Sequence, residues 1–210
     1  IMALVKGNAR SSSALDATVL TGNLPAISGA SLTGIATTQD HELVSNTTIS
    51  SAGHVDITTA FTNTAYTNFY ILGSGINMAN DNNDFRFNFI HNNGGIVGDT
   101  NYYWTGAGQR DASAAVDFGA SGVSYGRVID NSASTGQAIN FDMTVTKPFI
   151  SGHYTSFFSH AGGRRSGGGA NQVSVGGYIN TTDQMKGIRF LMSSGNISAG
   201  NILVFGMRDS

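Results

Sequence analysis

Apolar and polar residues alternate along much of the chain after Thr47, which is the pattern of half-buried β-strands. In residues 84–89 three phenylalanines occupy every second position, and residues 139–146 repeat the alternation over eight positions. Successive side chains of a strand point to opposite faces, so each segment would have one apolar and one polar face. These segments therefore predict strands that pack one face on a core.

Eight further segments show strand features and are separated by Gly- and Asn-rich clusters such as residues 80–83 and 92–95. They are residues 55–61, 69–73, 101–104, 124–129, 154–159, 173–179, 187–193 and 202–207. No segment has a convincing 3.6-residue apolar stripe apart from a turn of helix around residues 112–118, so we predict an all-β protein of ten strands. The expected architecture is an antiparallel β-sandwich of jelly-roll type. The last strand is apolar on both faces, and we expect it at a sheet centre or against a neighbouring subunit.

The N-terminal residues differ in kind from the rest of the chain. Residues 1–39 contain no aromatic side chain and only three charged ones, Lys6, Arg10 and Asp16. A loose [Leu/Ile]-[Thr/Ser]-Gly unit recurs at positions 20, 27 and 32, with too little apolar surface to form a core alone. We predict that residues 1–46 are an extended arm for docking and trimerisation and that residues 47–210 are the β-sandwich. A flexible Gly/Ser linker is the alternative interpretation of the arm.

The arm carries regularly spaced apolar side chains that could dock on a partner surface. They are Leu20, Leu24, Ile27, Leu32 and Ile35.

The composition excludes several classes of function. Hydrophobic residues make up 40% of the chain and charged residues only 11%, with a formal net charge of -2. This charge gives no electrostatic footprint for duplex nucleic acid or an anionic membrane, so we expect neither as a partner. There are no cysteines, which removes disulfides, zinc–thiolate sites and thiol nucleophiles.

Catalytic and metal-binding residue types are scarce. Glu42 is the only glutamate, so paired-carboxylate glycoside hydrolysis would have to use aspartates such as Asp81 with Asp84 or Asp142. Residues 80–84 are similar to the first half of a calcium loop but lack its glycine and its distal glutamate. We therefore expect no catalytic residues, no bound metal and no cofactor. The five histidines have no recognised metal-ligand spacing: His41, His54, His91, His153 and His160.

One cluster has the composition of a recognition surface. Tyr102, Tyr103 and Trp104 precede a Gly-rich stretch that ends at Arg110. Aromatic side chains beside arginine can stack on sugars or anchor a protein contact, so these four residues are candidate receptor or partner contacts. The competing interpretation is structural, because a sole tryptophan in a β-sandwich is more often part of the core.

Two segments resemble structural proteins of tailed bacteriophages. Residues 16–35 resemble the Leu-Pro-Ala-Ile-x-Gly-x-x-Leu-Thr-Gly segment of tail-fibre and other virion proteins. Residues 195–207 are similar to the strand that ends many of their β-sandwich modules, with Phe205 where tyrosine is usual.

The resemblance implies a non-enzymatic virion surface protein, usually trimeric, whose arm docks on the particle and whose sandwich projects from it. Assembly would take place in the host cytoplasm. The protein would be either a tail fibre or appendage that attaches to the host or a capsid decoration (cement) protein that stabilises the particle. Its partners would be its own copies, other capsid or tail proteins and a host surface glycan.

Two alternatives come from other classes of function. A carbohydrate-binding, lectin-like module would bind glycan as an isolated domain. A polysaccharide depolymerase would depend on an aspartate, with Asp81, Asp84 and Asp142 the candidates.

Overall fold

The computed structural model describes residues 41–111, 114–132, 136–165 and 168–208. All the regular secondary structure in these ranges is β-strand, arranged as two antiparallel sheets that pack face to face. The prediction of an all-β sandwich is therefore confirmed. The described part of the chain contains no helix long and apolar enough to cross a membrane.

The described residues form twelve strands, numbered here in chain order. They are β1 (His41–Ala52), β2 (His54–Ile57), β3 (Asn68–Met78), β4 (Asn83–His91), β5 (Tyr102–Arg110), β6 (Ala114–Val123), β7 (Gly126–Ser132), β8 (Ile139–Thr146), β9 (Ser156–Arg164), β10 (Ala170–Ile179), β11 (Met185–Met192) and β12 (Ile197–Met207).

The larger sheet has eight strands in the order β1-β12-β3-β8-β9-β10-β5-β6, and the smaller has four in the order β2-β11-β4-β7. The chain crosses between the sheets repeatedly, so that strands distant in sequence become neighbours. The hairpins β9–β10 and β5–β6 extend the larger sheet beyond β8. This extension gives the larger sheet a broad outward face.

All ten predicted strands correspond to observed strands, and two strands were missed. The predicted helical turn around residues 112–118 is wrong, because Ala114–Val123 forms β6 and pairs along β5. The small residues of β6 fit an edge strand as well as a helix. The apolar periodicity of so short a segment cannot distinguish a strand from a helix. The sheet also begins at His41, before the predicted start at Thr47, since His41 already pairs with Met207.

Phenylalanine rings from both sheets form the centre of the core. Phe85 and Phe190 of the smaller sheet stack with their centroids 5.6 Å apart. Phe141 of the larger sheet packs against both, at 5.5 Å from Phe85 and 5.4 Å from Phe190. A second contact between the sheets joins Phe87 and Phe157 at 4.8 Å. These rings account for the alternating apolar positions of the sequence, because each comes from an inward-facing strand position.

Two glycines make room for these rings. Gly73 is the cross-strand partner of Phe141, and Gly126 is the partner of Phe87. In each pair the ring lies over the glycine, and a Cβ at that position would overlap the ring atoms. Part of the high glycine content therefore serves core packing rather than turns.

Replacing Gly126 by alanine should destabilise the protein. The Phe87 ring is fully buried and held by Phe89, Tyr102 and Phe157, so it cannot move away from an added methyl group. We expect Gly126→Ala to lower the free energy of unfolding by about 1–3 kcal/mol, measured by urea denaturation.

The matched control is Gly53→Ala, because a Cβ at Gly53 meets only the Asn196 Oδ1 atom at an ordinary 3.7 Å. Its unfolding free energy should change by less than about 0.5 kcal/mol. Equal effects of the two substitutions would contradict the role assigned to Gly126.

Candidate functional site

The structure separates the four residues predicted as a contact cluster. Tyr102 is fully buried, where its hydroxyl accepts a 2.7 Å hydrogen bond from the Phe89 N–H and donates a 3.2 Å one to the Val97 carbonyl. Burial raises the pKa of the Tyr102 hydroxyl, which therefore stays protonated. The expected surface position of Tyr102 is wrong, since this residue links β4 to the segment before β5.

Trp104 also belongs to the core. Its side chain is buried and its indole N–H donates a 3.1 Å hydrogen bond to the Tyr125 carbonyl. The guanidinium of Arg127 lies 4.9 Å from the Trp104 ring centroid, within cation–π range. Trp104 therefore faces the sandwich interior, as the competing structural interpretation held, and the expected surface position is wrong.

Arg110 lies on the same inward-facing side of β5 and forms an ion pair with Asp130 of β7. The Asp130 carbonyl also accepts a 2.8 Å hydrogen bond from the buried Asn171 side chain. Since β7 belongs to the smaller sheet and β5 to the larger one, the pair ties the two sheets together. Arg110 is thus engaged in a partly buried structural contact rather than directed at a receptor.

Tyr103 is the member of the predicted cluster that points outward. It stacks on its cross-strand neighbour Tyr178, with ring centroids 5.2 Å apart, and Tyr154 contacts Tyr178 edge-on at 6.1 Å. Tyr178 and Tyr154 are 41% and 57% exposed. We call Tyr103, Tyr154 and Tyr178 the tyrosine cluster. It presents aromatic area on the outward face of the larger sheet, where aromatic side chains commonly serve binding.

A depression lies on the same outward face, centred on β3, β8 and β9. Its volume is about 510 Å³, and its lining includes Tyr70, Leu72, Asp142, His160 and Leu203. Leu203, Leu72, Asp142 and His160 are successive partners across β12, β3, β8 and β9. The depression therefore lies along one cross-strand row of the sheet.

A missing side chain contributes to the depression. Gly162 lines it without a side chain of its own, in an outward cross-strand row with Asn140 of β8 and Gln172 of β10. The outward side chains of Leu72 and Leu203 form its apolar base. The pairing of β3 with β8 shifts register between Gly73 and Ile76, which interrupts the ladder at this point. The bare outward position at Gly162 thus lies beside an irregular part of the sheet, and the surface is concave there.

Polar groups surround the apolar base. The Nδ1 atom of His160 lies 3.3 Å from Oδ2 of Asp142. Asn140 accepts a 3.0 Å hydrogen bond from the Gly75 N–H, and Gln172 lines the opposite side. Burial, and to a smaller extent the charge of Asp142, raise the pKa of Tyr70, whose hydroxyl therefore stays a hydrogen-bond donor. The site combines donors, acceptors and apolar surface.

The outward face of the smaller sheet has a different chemistry. Arg189 forms two hydrogen bonds to Asp56, at 2.6 and 2.7 Å. Asp84 accepts from Arg86 at 2.8 Å and from Arg127 at 3.0 Å. These charged side chains are thus paired with one another within and between the strands of the smaller sheet.

Asp84 and Asp142, two of the aspartates considered for hydrolysis, lie on different faces of the molecule. Asp84 lies on the outward face of the smaller sheet and Asp142 on that of the larger, since the neighbouring Phe85 and Phe141 meet in the core between them. Asp81 belongs to the turn between β3 and β4, where its carbonyl accepts a 3.2 Å hydrogen bond from the Asn83 amide. A pair of Asp84 with Asp142 is therefore excluded by position.

The candidate metal ligands remain dispersed. Among residues 41–111, 114–132, 136–165 and 168–208 no group of three His, Asp or Glu side chains could hold a metal ion. The turn at residues 80–84 is held by hydrogen bonds from the Asn83 amide to the carbonyls of Asn80 and Asp81.

Sequence reasoning singled out Asp142 but missed its surroundings. Tyr70, Tyr178 and Phe158 occupy outward positions of strands that were predicted correctly, so alternation assigns them to the outward face. What alternation cannot supply is the order of the strands, and that order brings Tyr178 beside Tyr103 and His160 beside Asp142.

Comparison with known proteins found no matching family model, no matching curated protein and no matching solved structure. The resemblance to phage virion proteins stays a prediction from the residues that carry it. The predicted docking residues of the arm lie outside the described residues: Leu20, Leu24, Ile27, Leu32 and Ile35.

The Asp56–Arg189 pair should make stability depend on pH. Hydrogen bonds from Arg189 hold the pKa of Asp56 below its ordinary 3.8, so the folded state favours the ionised carboxylate. The pair contributes its full stabilisation at pH values above the pKa that Asp56 has in the unfolded chain. This contribution is lost as the pH falls through the lower pKa that Asp56 has in the folded protein.

We expect Asp56→Asn to lower the free energy of unfolding at pH 7 by about 0.5–1 kcal/mol, since the pair is partly exposed to solvent. The difference from the parent protein should shrink below about pH 4. Urea unfolding across pH measures this, with Asp117→Asn on the exposed edge strand β6 as the control. A difference that stays constant down to pH 2 would contradict the assignment.

Proposed function

We propose that this chain is a non-enzymatic structural protein of a bacteriophage virion surface and that it assembles as a homotrimer. The observation that carries the proposal is the contrast between the two outward faces of the sandwich. The smaller sheet covers its outward face with paired charges, whereas the larger sheet presents exposed aromatic and aliphatic side chains. An apolar outward face of this kind fits contact with other protein surfaces.

The edge strand β1 is the part of this face best suited to subunit contact. Leu43 is 52% exposed and lies in a cross-strand row with Phe205 and Tyr70. An edge strand also offers unpaired backbone groups to another chain. The predicted arm joins the sandwich at this strand, so an arm that reaches a neighbouring subunit would leave from the same edge.

The strand order supports the jelly-roll part of the proposal. The strands β1-β12-β3-β8 face β2-β11-β4-β7, and the two hairpins β5–β6 and β9–β10 are additions to this set. In this order strands from the first part of the chain pair with strands from its last part, as β1 does with β12 and β2 with β11. Such pairing is expected of a jelly roll, in which two Greek keys form two packed four-stranded sheets. Jelly rolls of this kind serve as viral capsid and lectin domains.

Two placements on the virion fit the same features. In a capsid decoration protein the arms would clamp adjacent capsomers and stabilise the particle. In a tail fibre or appendage the arm would anchor the protein and the tyrosine cluster would face the host surface. The resemblance of residues 16–35 supports the fibre.

A lectin-like module is the second candidate, and the depression beside Tyr70, Asp142 and His160 is the observation that favours it. A depolymerase has less support, because Asp84 and Asp142 lie on opposite faces.

Light scattering after size exclusion tests the assembly. The full chain should have a mass near three times 21.9 kDa. Leu43→Asp places a charge in the proposed contact and should weaken the trimer by about tenfold or more in dissociation constant. Ile96→Asp is the matched control, since Ile96 is also an exposed aliphatic residue but lies between β4 and β5.

Removal of residues 1–40 tests the arm separately, because the described sandwich begins with β1 at His41. We expect the shortened chain to lose the trimer. A monomeric full chain, or equal masses with Leu43→Asp and without it, would contradict the proposed assembly.

A further inference from the structure

We propose that the outward face of the larger sheet binds a short neutral oligosaccharide, which runs along β9 from the depression to the tyrosine cluster. This site is distinct from the β1 edge assigned to subunit contact, and it does not depend on the trimer. It also replaces the buried Tyr102 and Trp104 as the place where a glycan would be recognised.

The chemistry of the depression matches a sugar ring. Leu72 and Leu203 provide an apolar base, and polar side chains stand beside it. A pyranose has the same division, with apolar C–H faces and hydroxyl groups around its edge. Pockets that hold small ligands combine apolar surface with a few convergent polar groups in this way.

The hydrogen-bonding groups suit hydroxyl ligands in particular. The Asp142 carboxylate has acceptor capacity beyond its contact with His160, and the amide of Gln172 both donates and accepts. A sugar hydroxyl that donates to Asp142 would form a charge-assisted hydrogen bond, which is stronger than a neutral one.

The ligand should be uncharged. The residues that line the depression include no lysine or arginine, and the one full negative charge among them, on Asp142, would repel a uronate or sulfate. Acidic polysaccharides would also require a cationic partner, and the lining of the depression contains no lysine or arginine to serve as one. The site therefore discriminates between neutral and acidic glycans.

Exposed aromatic rings continue from the depression along β9. Phe158 follows His160 at the next outward position, their rings meet edge-on at 4.6 Å, and Phe158 is 47% exposed. Ser156, the next outward residue, is the cross-strand partner of Tyr178 in the tyrosine cluster. From His160 to Ser156 is about 13 Å along the strand, enough for more than one sugar unit. Such a row of rings can stack on successive sugar faces.

Titration of the full chain with neutral oligosaccharides tests this inference. The probes are tetrasaccharides of glucose, mannose, galactose and N-acetylglucosamine, with oligogalacturonate as the acidic comparison. Saturation-transfer NMR and calorimetry should detect at least one neutral probe with a millimolar or tighter dissociation constant, and oligogalacturonate should bind at least about tenfold more weakly.

Filling the depression should abolish this binding. A Cβ at Gly162 has its nearest neighbour at 3.8 Å, so Gly162→Val adds volume to the depression without a clash. We expect binding to weaken by about tenfold or more. Gly98→Val is the matched control, because a Cβ at Gly98 has no neighbour within 4 Å and lies away from the depression.

A second pair of variants tests the polar contact. Asp142→Asn keeps the shape of the site and removes its charge, and it should weaken binding by about fivefold or more. Asp117→Asn removes a charge from the same cross-strand row, four strands away on β6, and should leave binding unchanged.

The inference is overturned if none of the four neutral probes binds or if Gly162→Val binds as the parent does. It is also overturned if Gly162→Val reduces the oligomer mass, because the depression would then be a subunit contact. Mass and sugar binding are measured separately, so loss of the trimer with retained sugar binding contradicts only the proposed assembly.

Discussion

The packing of phenylalanine rings between the two sheets is the interaction on which the rest of this structure depends. Phe85 and Phe190 meet Phe141 across the interface, and Phe87 meets Phe157. Two of these rings, Phe141 and Phe87, lie over the cross-strand glycines Gly73 and Gly126, where a side chain would overlap them. Because side chains alternate along each strand, fixing these inward residues also fixes which residues face outward.

Gly73 and Gly162 serve opposite faces of the larger sheet. Gly73 makes room for the inward ring of Phe141, whereas Gly162 shares an outward row with Asn140 and Gln172. Because neighbouring strand positions point to opposite faces, the core and the depression depend on different glycines. Gly162 is therefore the position for altering the depression alone.

The two hairpins added to the larger sheet determine how far the candidate binding face extends. Without β9–β10 and β5–β6 the sheet would end at β8, and neither His160 nor the tyrosine cluster would have a place on it. The opposite face of the sandwich has no comparable extension, and its charges pair with one another. The difference in extent between the two faces thus follows from where the extra strands were added.

The sequence by itself determined the fold class, because the alternation of residues 84–89 and 139–146 reflects the strand period directly. It failed at β1 and β6, whose polar or small residues carry little hydrophobic signal, and at Tyr102 and Trp104. Those two residues alternate with Tyr103, so one of the two faces had to be buried, but local sequence does not state which. The tertiary structure decided this by pairing β5 with β10 and packing it over β7. It likewise placed His160 beside Asp142, because the residues that meet across strands are set by register and strand order, which depend on contacts distant in sequence.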